Sequence, residues 1–445
     1  ELVPIPAFTP DDPPLQFFDA FGTTYRQGFL NLLRRNVEGG PRISDLTHTT
    51  YRGVVGTRGD LSRVWSYDTY FQYGRTNYTQ VYRNEFSLSR LQRALNVVDD
   101  PRTPGVVDPI CRAALDNSDP SCAPYDIFGT PSDPAINYLN VFGVITGYTS
   151  EQVANFNITG ALGEMGVRTP WAEDGIGVNV GAEYRKESLT LSPDQSFQAG
   201  DLTGQGAPTL PIDSNFRVLE WFAEAQLPLV QRSFIDDLTL GAGYRKSFYK
   251  LSNGRTYDTD TYKLSAEFAP IADVRFRGAY NRAVRAPNIQ ELFNPQFVGL
   301  SGGTDPCSAT ERTDAGLPAA ITATDFGCLA QGLVVNQQTP SNPAQQYNGL
   351  LGGNPNLVPE TATTKTFGVV LQPRFLPRFS FTVDYWDIKV DDAIQGFGAD
   401  AILADCIAKA TASFTPASCA LINRDPGGSL WITPTGFVTN TSNNV

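Results

Sequence analysis

Thr261-Tyr262-Lys263-Leu264-Ser265-Ala266-Glu267-Phe268, the turn Ala269-Pro270-Ile271-Ala272, and Asp273-Val274-Arg275-Phe276-Arg277-Gly278-Ala279-Tyr280-Asn281-Arg282 decide how this chain is read. In both arms every even position is apolar, aromatic or Gly: Tyr262, Leu264, Ala266 and Phe268, then Val274, Phe276, Gly278 and Tyr280. Most odd positions are polar or charged. Side chains alternate across a strand, so the stretch is an antiparallel hairpin with one greasy face and one wet face. Its second arm runs on through Ala283-Val284-Arg285-Ala286 to Pro287, which has no N–H to donate and ends the ladder.

The same period recurs on both sides of the hairpin. Strands are expected at residues 48–58 and 64–74, 154–163 and 175–187, 217–227 and 237–250, and 361–372 and 379–389, with a further possible strand near 24–36. Within each pair the link is short, as at Gly59-Asp60-Leu61-Ser62-Arg63 or Pro373-Arg374-Phe375-Leu376-Pro377. Between pairs it is long (76–151, 188–216, 285–360, 390–431), apart from a brief link at 251–258. Long loops argue against an ordinary compact domain. Short turns on one rim and long loops on the other are expected of an outer-membrane barrel. A soluble β-sandwich shows similar alternation and is the plain alternative.

Composition narrows the choice. Charged residues make up 18% of the 445 positions, below the quarter usual for soluble domains, and no apolar run approaches the length of a membrane-spanning helix. A barrel strand carries no such hydropathy peak and stays open. The net charge of −12 argues against a nucleic-acid partner. The chain begins at Glu1 without a leader-like segment and closes on Thr439-Asn440-Thr441-Ser442-Asn443-Asn444, so it reads as an internal piece of something longer.

The cysteines fall as Cys111 and Cys122, Cys307 and Cys328, and Cys406 and Cys419, each pair inside one long connection. Proximity favours three local bridges, each stabilising its loop by about 2–4 kcal/mol and placing the chain in an oxidising compartment. Buried free thiols are the alternative. A zinc site lacks both C-x-x-C spacing and a neighbouring histidine.

Catalytic signals are weak. Gly299-Leu300-Ser301-Gly302-Gly303 matches G-x-S-x-G, but no helix follows and the only histidine is His48, so a Gly-rich loop is the plain reading. Asp99-Asp100 and Asp391-Asp392 read as solvated charge, because adjacent strand residues face opposite ways. Asp258 and Asp260 have a spacing found in Ca²⁺ loops without the other oxygen ligands. Neither a cofactor nor a metal is called for, and the chain is not read as an enzyme.

At Asn281-Arg282-Ala283-Val284-Arg285-Ala286-Pro287-Asn288-Ile289-Gln290-Glu291-Leu292-Phe293 the sequence strongly resembles the barrel motif of TonB-dependent outer-membrane receptors. Val37-Glu38-Gly39-Gly40-Pro41-Arg42, Gly353-Asn354-Pro355-Asn356-Leu357-Val358-Pro359-Glu360-Thr361 and Val383-Asp384-Tyr385-Trp386-Asp387-Ile388-Lys389-Val390 resemble the same family. The helix-like Ala399-Asp400-Ala401-Ile402-Leu403-Ala404-Asp405-Cys406, with Cys419 after it, is similar to one of its disulfide-pinned loops. The motif positions are Arg282, Arg285, Pro287, Asn288, Asn354, Pro355, Pro359 and Glu360.

The resemblance implies an all-β, partial transmembrane antiparallel barrel, here ten to twelve strands of about 22 around a plug. It further implies the outer membrane of a Gram-negative bacterium, with lipid, a small-molecule or oligosaccharide ligand and the TonB complex as partners. Function would be active import of siderophore–iron, cobalamin or oligosaccharide. The sequence departs from the family in having no plug, TonB box or terminal aromatic-ended strand, so residues 1–445 are expected to be an internal barrel fragment. Arg282 and Arg285 would hold either an anionic ligand or plug carboxylate, or else a rim salt bridge to a neighbouring strand. Substrate contacts are expected from the long loops. A passive porin-like channel and a secreted β-rich ligand- or carbohydrate-binding protein or enzyme are the alternatives.

Overall fold

The quoted hairpin sits inside a ten-stranded antiparallel sheet. A computed structural model describes residues 17–18, 24–25, 34–35 and 37–445. The sheet strands are β1 (Ile43–Asp60), β2 (Trp65–Phe86), β3 (Asn140–Ala161), β4 (Gly177–Pro193), β5 (Ile212–Gln231), β6 (Asp237–Leu251), β7 (Thr256–Ile271), β8 (Val274–Arg285), β9 (Glu360–Leu371) and β10 (Phe381–Asp391). Each pairs with its sequence neighbour in this series, and β1 and β10 are unpaired edges among the described residues. This is a partial barrel wall and not a closed barrel. Of the strand expected near 24–36, only Thr24–Tyr25, which pairs with Phe17–Phe18, and Arg34–Arg35, which are not in a strand, lie among the described residues.

Register explains the alternation. Leu264 faces Tyr280, Ala266 faces Gly278 and Phe268 faces Phe276, while Glu267 faces Arg277 on the other side. Phe268, Phe276 and Phe367 continue as a stack across three strands with ring centroids 6.2 and 6.4 Å apart. Leu264 is 57% exposed and Trp221 63%, so this belt face is apolar yet has no protein against it. Lipid is the medium that satisfies such a face. The turn sits two residues later than the sequence suggests, at residues 272–273, because pairing continues past an irregularity between Phe268 and Ile271. Pro270 is tolerated at that strand-end irregularity.

Two further expectations are corrected. The strands overrun their apolar stretches: β2 and β3 are each 22 residues long. At about 3.3 Å per residue they extend roughly 70 Å, more than twice the hydrocarbon thickness. The connection expected at 76–151 therefore shrinks to 87–139. The alternation also reverses phase along a strand. In β4 the belt side reads Val178, Val180, Ala182 and Tyr184, then Ser188, Thr190 and Ser192, while Leu189 and Leu191 lie on the opposite side. In β10, Phe381, Val383 and Tyr385 give way to Asp387, Lys389 and Asp391, and Trp386, Ile388 and Val390 occupy the opposite side.

Short turns close one rim and the long connections crowd the other. Connection 87–139 forms a small module with helices Leu88–Leu95 and Asp133–Leu139, capped by the Ser87 and Ser132 hydroxyls, around fully buried Ala94 and Leu139. Segments 286–359 and 392–445 fold together as one cap. It holds a four-stranded sheet of Phe297–Gly302, Gln346–Leu351, Phe437–Thr439 and Ile422–Asn423, and a two-stranded pair of Ile394–Gln395 with Asn443–Asn444. Helix Ala399–Lys409 buries Ile402 and Leu403 against Tyr347, Leu430 and Val438. Gly299–Gly303 lies largely on the first cap strand and not in a loop, with no helix directly after it, so the elbow geometry of a nucleophilic serine is absent.

Candidate functional site

The face opposite the belt is built from charge. Arg275 donates to Asp237 at 2.6 Å and to Glu267 at 2.8 Å. Arg277 reaches past β9 to Asp384 on β10, with Nε and Nη2 at 2.9 and 2.6 Å from its two oxygens. Gly368 makes this reach possible: a Cβ there would stand 2.0 Å from Asp384 Oδ1 and 3.0 Å from Arg277 Nε. Glu220 accepts from Arg245 at 3.0 Å and Ser247 at 2.6 Å, and amides of Gln72 and Asn155 donate to Glu151 and Glu183. The result is a hydrogen-bonding wall suited to a solvated polar occupant.

The family-motif residues converge where this wall meets the cap. Arg285, at the end of β8, places Nε and Nη2 2.6 and 2.8 Å from Glu360 and Nη1 3.0 Å from Glu291. Of its two readings, the structure gives the rim salt bridge to a neighbouring strand. Glu291 belongs to helix Ile289–Phe293, whose capping box pairs it with Asn288 at 2.8 Å in both directions. Pro287, buried, ends β8 ahead of that cap. The Asn354 amide donates to Glu291 O at 2.8 Å, and Arg255 holds the carbonyls of Pro355 and Leu357 at 2.6 and 3.0 Å. Leu357, Ile289 and Leu292 share a core with Phe216, Val218, Tyr249 and Leu251 from the upper strands. Pro359 lies between Val358, which is bound on both backbone groups by the Asn444 side chain, and Glu360. Arg282 stands apart: its parity places it on the belt side, donating to the Asp260 carbonyl at 2.7 Å.

Above the clamp, Cys307–Cys328 and Cys406–Cys419 close within single connections, as does Cys111–Cys122 in the first module. What joins the two cap segments was not legible as a motif. Arg424, with its side chain 3% exposed, donates to both oxygens of Asp305 at 2.7 and 2.8 Å and also to Gln331 and the Gly428 carbonyl. Buried Arg312 binds Asp325 at 2.7 Å. Burial pushes the Asp325 carboxyl up, but hydrogen bonds from Arg312 and Thr322 outweigh it and hold the group below the ordinary carboxylate range. Burial, then the hydrogen bond to Asp400, raises the Tyr347 phenol.

Asp258 and Asp260 both bind Lys246. Asp100 pairs with Arg102, and Asp391 with Lys389. Among the described residues no group of three or more His, Cys, Asp or Glu is placed to hold a metal ion.

The family model described as TonB dependent receptor-like, beta-barrel matches residues 7–424. The chain belongs to the TonB-dependent receptor family. Solved structures similar to this receptor barrel include a mutant ferric enterobactin receptor of Pseudomonas aeruginosa, at 16% identity over 90% of this chain and 39% of that one, with a TM-score of 0.47. The hemophore receptor HasR of Serratia marcescens, in complex with its hemophore and heme, shows 12% identity over 91% and 48% at a TM-score of 0.34. The RagAB peptide transporter shows 12% over 80% and 31% at 0.39. At these scores the assignment rests on the family model. The receptor barrel thus spans less than half the length of each of these three relatives, and no curated protein matches it. The family is one of receptors and not of enzymes.

Proposed function

We propose that the complete protein is an active-transport receptor of the Gram-negative outer membrane. It binds a scarce nutrient, of the siderophore–iron, cobalamin or oligosaccharide class, beneath its loops and imports it with TonB energy coupling. In this reading residues 1–445 are an internal barrel segment, short turns toward the periplasm and cap outside, with plug and TonB box in the remainder of a longer protein. The observation that carries it is the two-faced wall: an unsatisfied apolar belt on one side and, on the other, the Arg275, Arg277 and Arg245 ion network.

The test is uptake by the native strain. Deletion of the gene should abolish accumulation of one labelled nutrient from these classes at nanomolar supply, and loss of TonB should do the same. Uptake that persists without TonB but needs this gene indicates a passive channel. A gene product found free in the medium contradicts the receptor.

A further inference from the structure

The longest free edge in the long connections is the first cap strand, Phe297–Gly302. Among the described residues every other edge strand there is two or three residues long, and very short edges attract little pairing. This one runs six. It pairs on one side only, with Gln346–Leu351. Asn348 and Leu350 turn their backbone groups the other way, to Leu430 and Asn440, so their antiparallel partners Leu300 and Val298 point their own groups off the sheet. Gly302, opposite Gln346, has the same phase. No hydrogen bond among the described residues reaches the N–H or C=O of any of the three.

The edge carries none of the devices that ordinarily keep another chain away. Phe297-Val298-Gly299-Leu300-Ser301-Gly302 has no charge, proline or bulge. Leu300 is 49% exposed, and a Cβ on Gly302 would meet no atom within 4 Å. Residues 206–207, in the connection after β4, come up to the middle of the strand, where a Cβ on Gly299 would stand 3.2 Å from that of Ala207, yet they form no backbone hydrogen bond with it. At the far end a Cβ on Gly303 would collide with Asp400 Oδ1, so an exposed carboxylate closes the row. The cap's three cations, Arg312, Lys409 and Arg424, are each bound to an aspartate.

We infer that this edge takes an unstructured peptide as an added strand. Unpaired N–H and C=O groups repeating at every second residue are met together by an extended backbone. Val298 and Leu300 select apolar side chains on one side of that strand, and Gly299 and Ser301 admit polar ones on the other. Asp400, with every cap cation already engaged, selects a basic residue at the Gly303 end. The Gly299–Gly303 run thus serves the close approach of a second backbone. The inference is independent of which nutrient the barrel carries.

The test is binding of a fluorescent hexapeptide, alternating valine and threonine and ending in lysine, to the complete gene product in detergent micelles, followed by anisotropy. N-methylation of one alternate set of peptide residues should abolish binding and that of the other set should leave it, because only one set turns its N–H groups to the edge. Leu300→Pro, which removes an outward N–H and leaves the ladder intact, should weaken binding about tenfold. Asp400→Asn should weaken the lysine-ended peptide about threefold and a glutamine-ended one not at all. An unchanged melting temperature checks that Leu300→Pro keeps the cap folded; if it does not, the methylated peptides decide alone. No binding, or equal binding of the two methylated peptides, overturns the added strand. Self-association of the wild type that Leu300→Pro abolishes, without peptide binding, gives the edge to a second copy and overturns the peptide.

Discussion

The lower and upper halves of the same strands obey opposite rules. Near the short turns, β4 and β10 put Val180, Ala182, Val383 and Tyr385 outward and Glu183 and Asp384 inward. Nearer the cap they put Ser188, Thr190, Asp387 and Lys389 outward and turn Leu189, Leu191, Ile388 and Val390 inward. The period of two is never broken, so the pleat is continuous; only its surroundings change. In the proposed orientation the apolar side chains of the lower half would meet lipid and the polar ones the lumen, while the upper half would have water outside. Its inner side seats the cap, as Phe216, Val218, Tyr249 and Leu251 do against Ile289, Leu292 and Leu357. The two regions are also held differently: the wall by its ladder, the cap by disulfides and buried ion pairs.

That difference can be broken from the cap side first. Arg424→Ala would strand the Asp305 carboxylate in a buried site and should destabilise the cap by about 3–5 kcal/mol. Limited proteolysis should then cut within 286–359 and 392–445 while the wall stays resistant; equal loss of both contradicts the separation. Replacing Cys307 and Cys328 by serine should cost the cap about 3 kcal/mol by the loop-closure estimate, read as a lower melting temperature of the cap alone.

The wall is probed by Gly368→Val. Its side chain would collide with the Arg277–Asp384 bridge, costing about 1–3 kcal/mol, and should lower the temperature at which the barrel loses its heat-resistant gel mobility. The smallest effect concerns pH. The Asp325 carboxyl is depressed in the folded cap, so its contribution is fully present above the ordinary aspartate value of about 4 and is lost as pH falls through the lower folded value. Cap stability should drop in acid for the wild type, whereas Asp325→Asn should be weaker at neutral pH and flatter below it.

Much of the wall was legible in the sequence because its information is local: alternation, tight turns, and cysteines in short reach of each other. The resemblance marked the clamp residues Arg285, Asn288, Asn354 and Glu360. Their joint geometry was not readable, because Arg285 and Glu360 are 75 positions apart. The Arg424–Asp305 contact spans 119 positions and leaves no periodic trace. Gly368 carried a usable signal, since a lone glycine inside an alternating strand marks a close approach. The phase reversal misled the strand lengths: where Ser188 and Leu189 exchange sides, a reading tuned to one apolar phase stops, although the strand runs on to Pro193.

The most direct test of the two-phase wall is a nitroxide scan along β4 of the complete protein in bilayers, comparing relaxation by oxygen, which concentrates in lipid, with a water-soluble nickel complex. Labels at Val178, Val180, Ala182 and Tyr184 should be relaxed by oxygen, and labels at Ser188, Thr190 and Ser192 by nickel, with Leu189 and Leu191 shielded from both. Nickel access at Val180 and Ala182, or oxygen access continuing through Thr190, would contradict it.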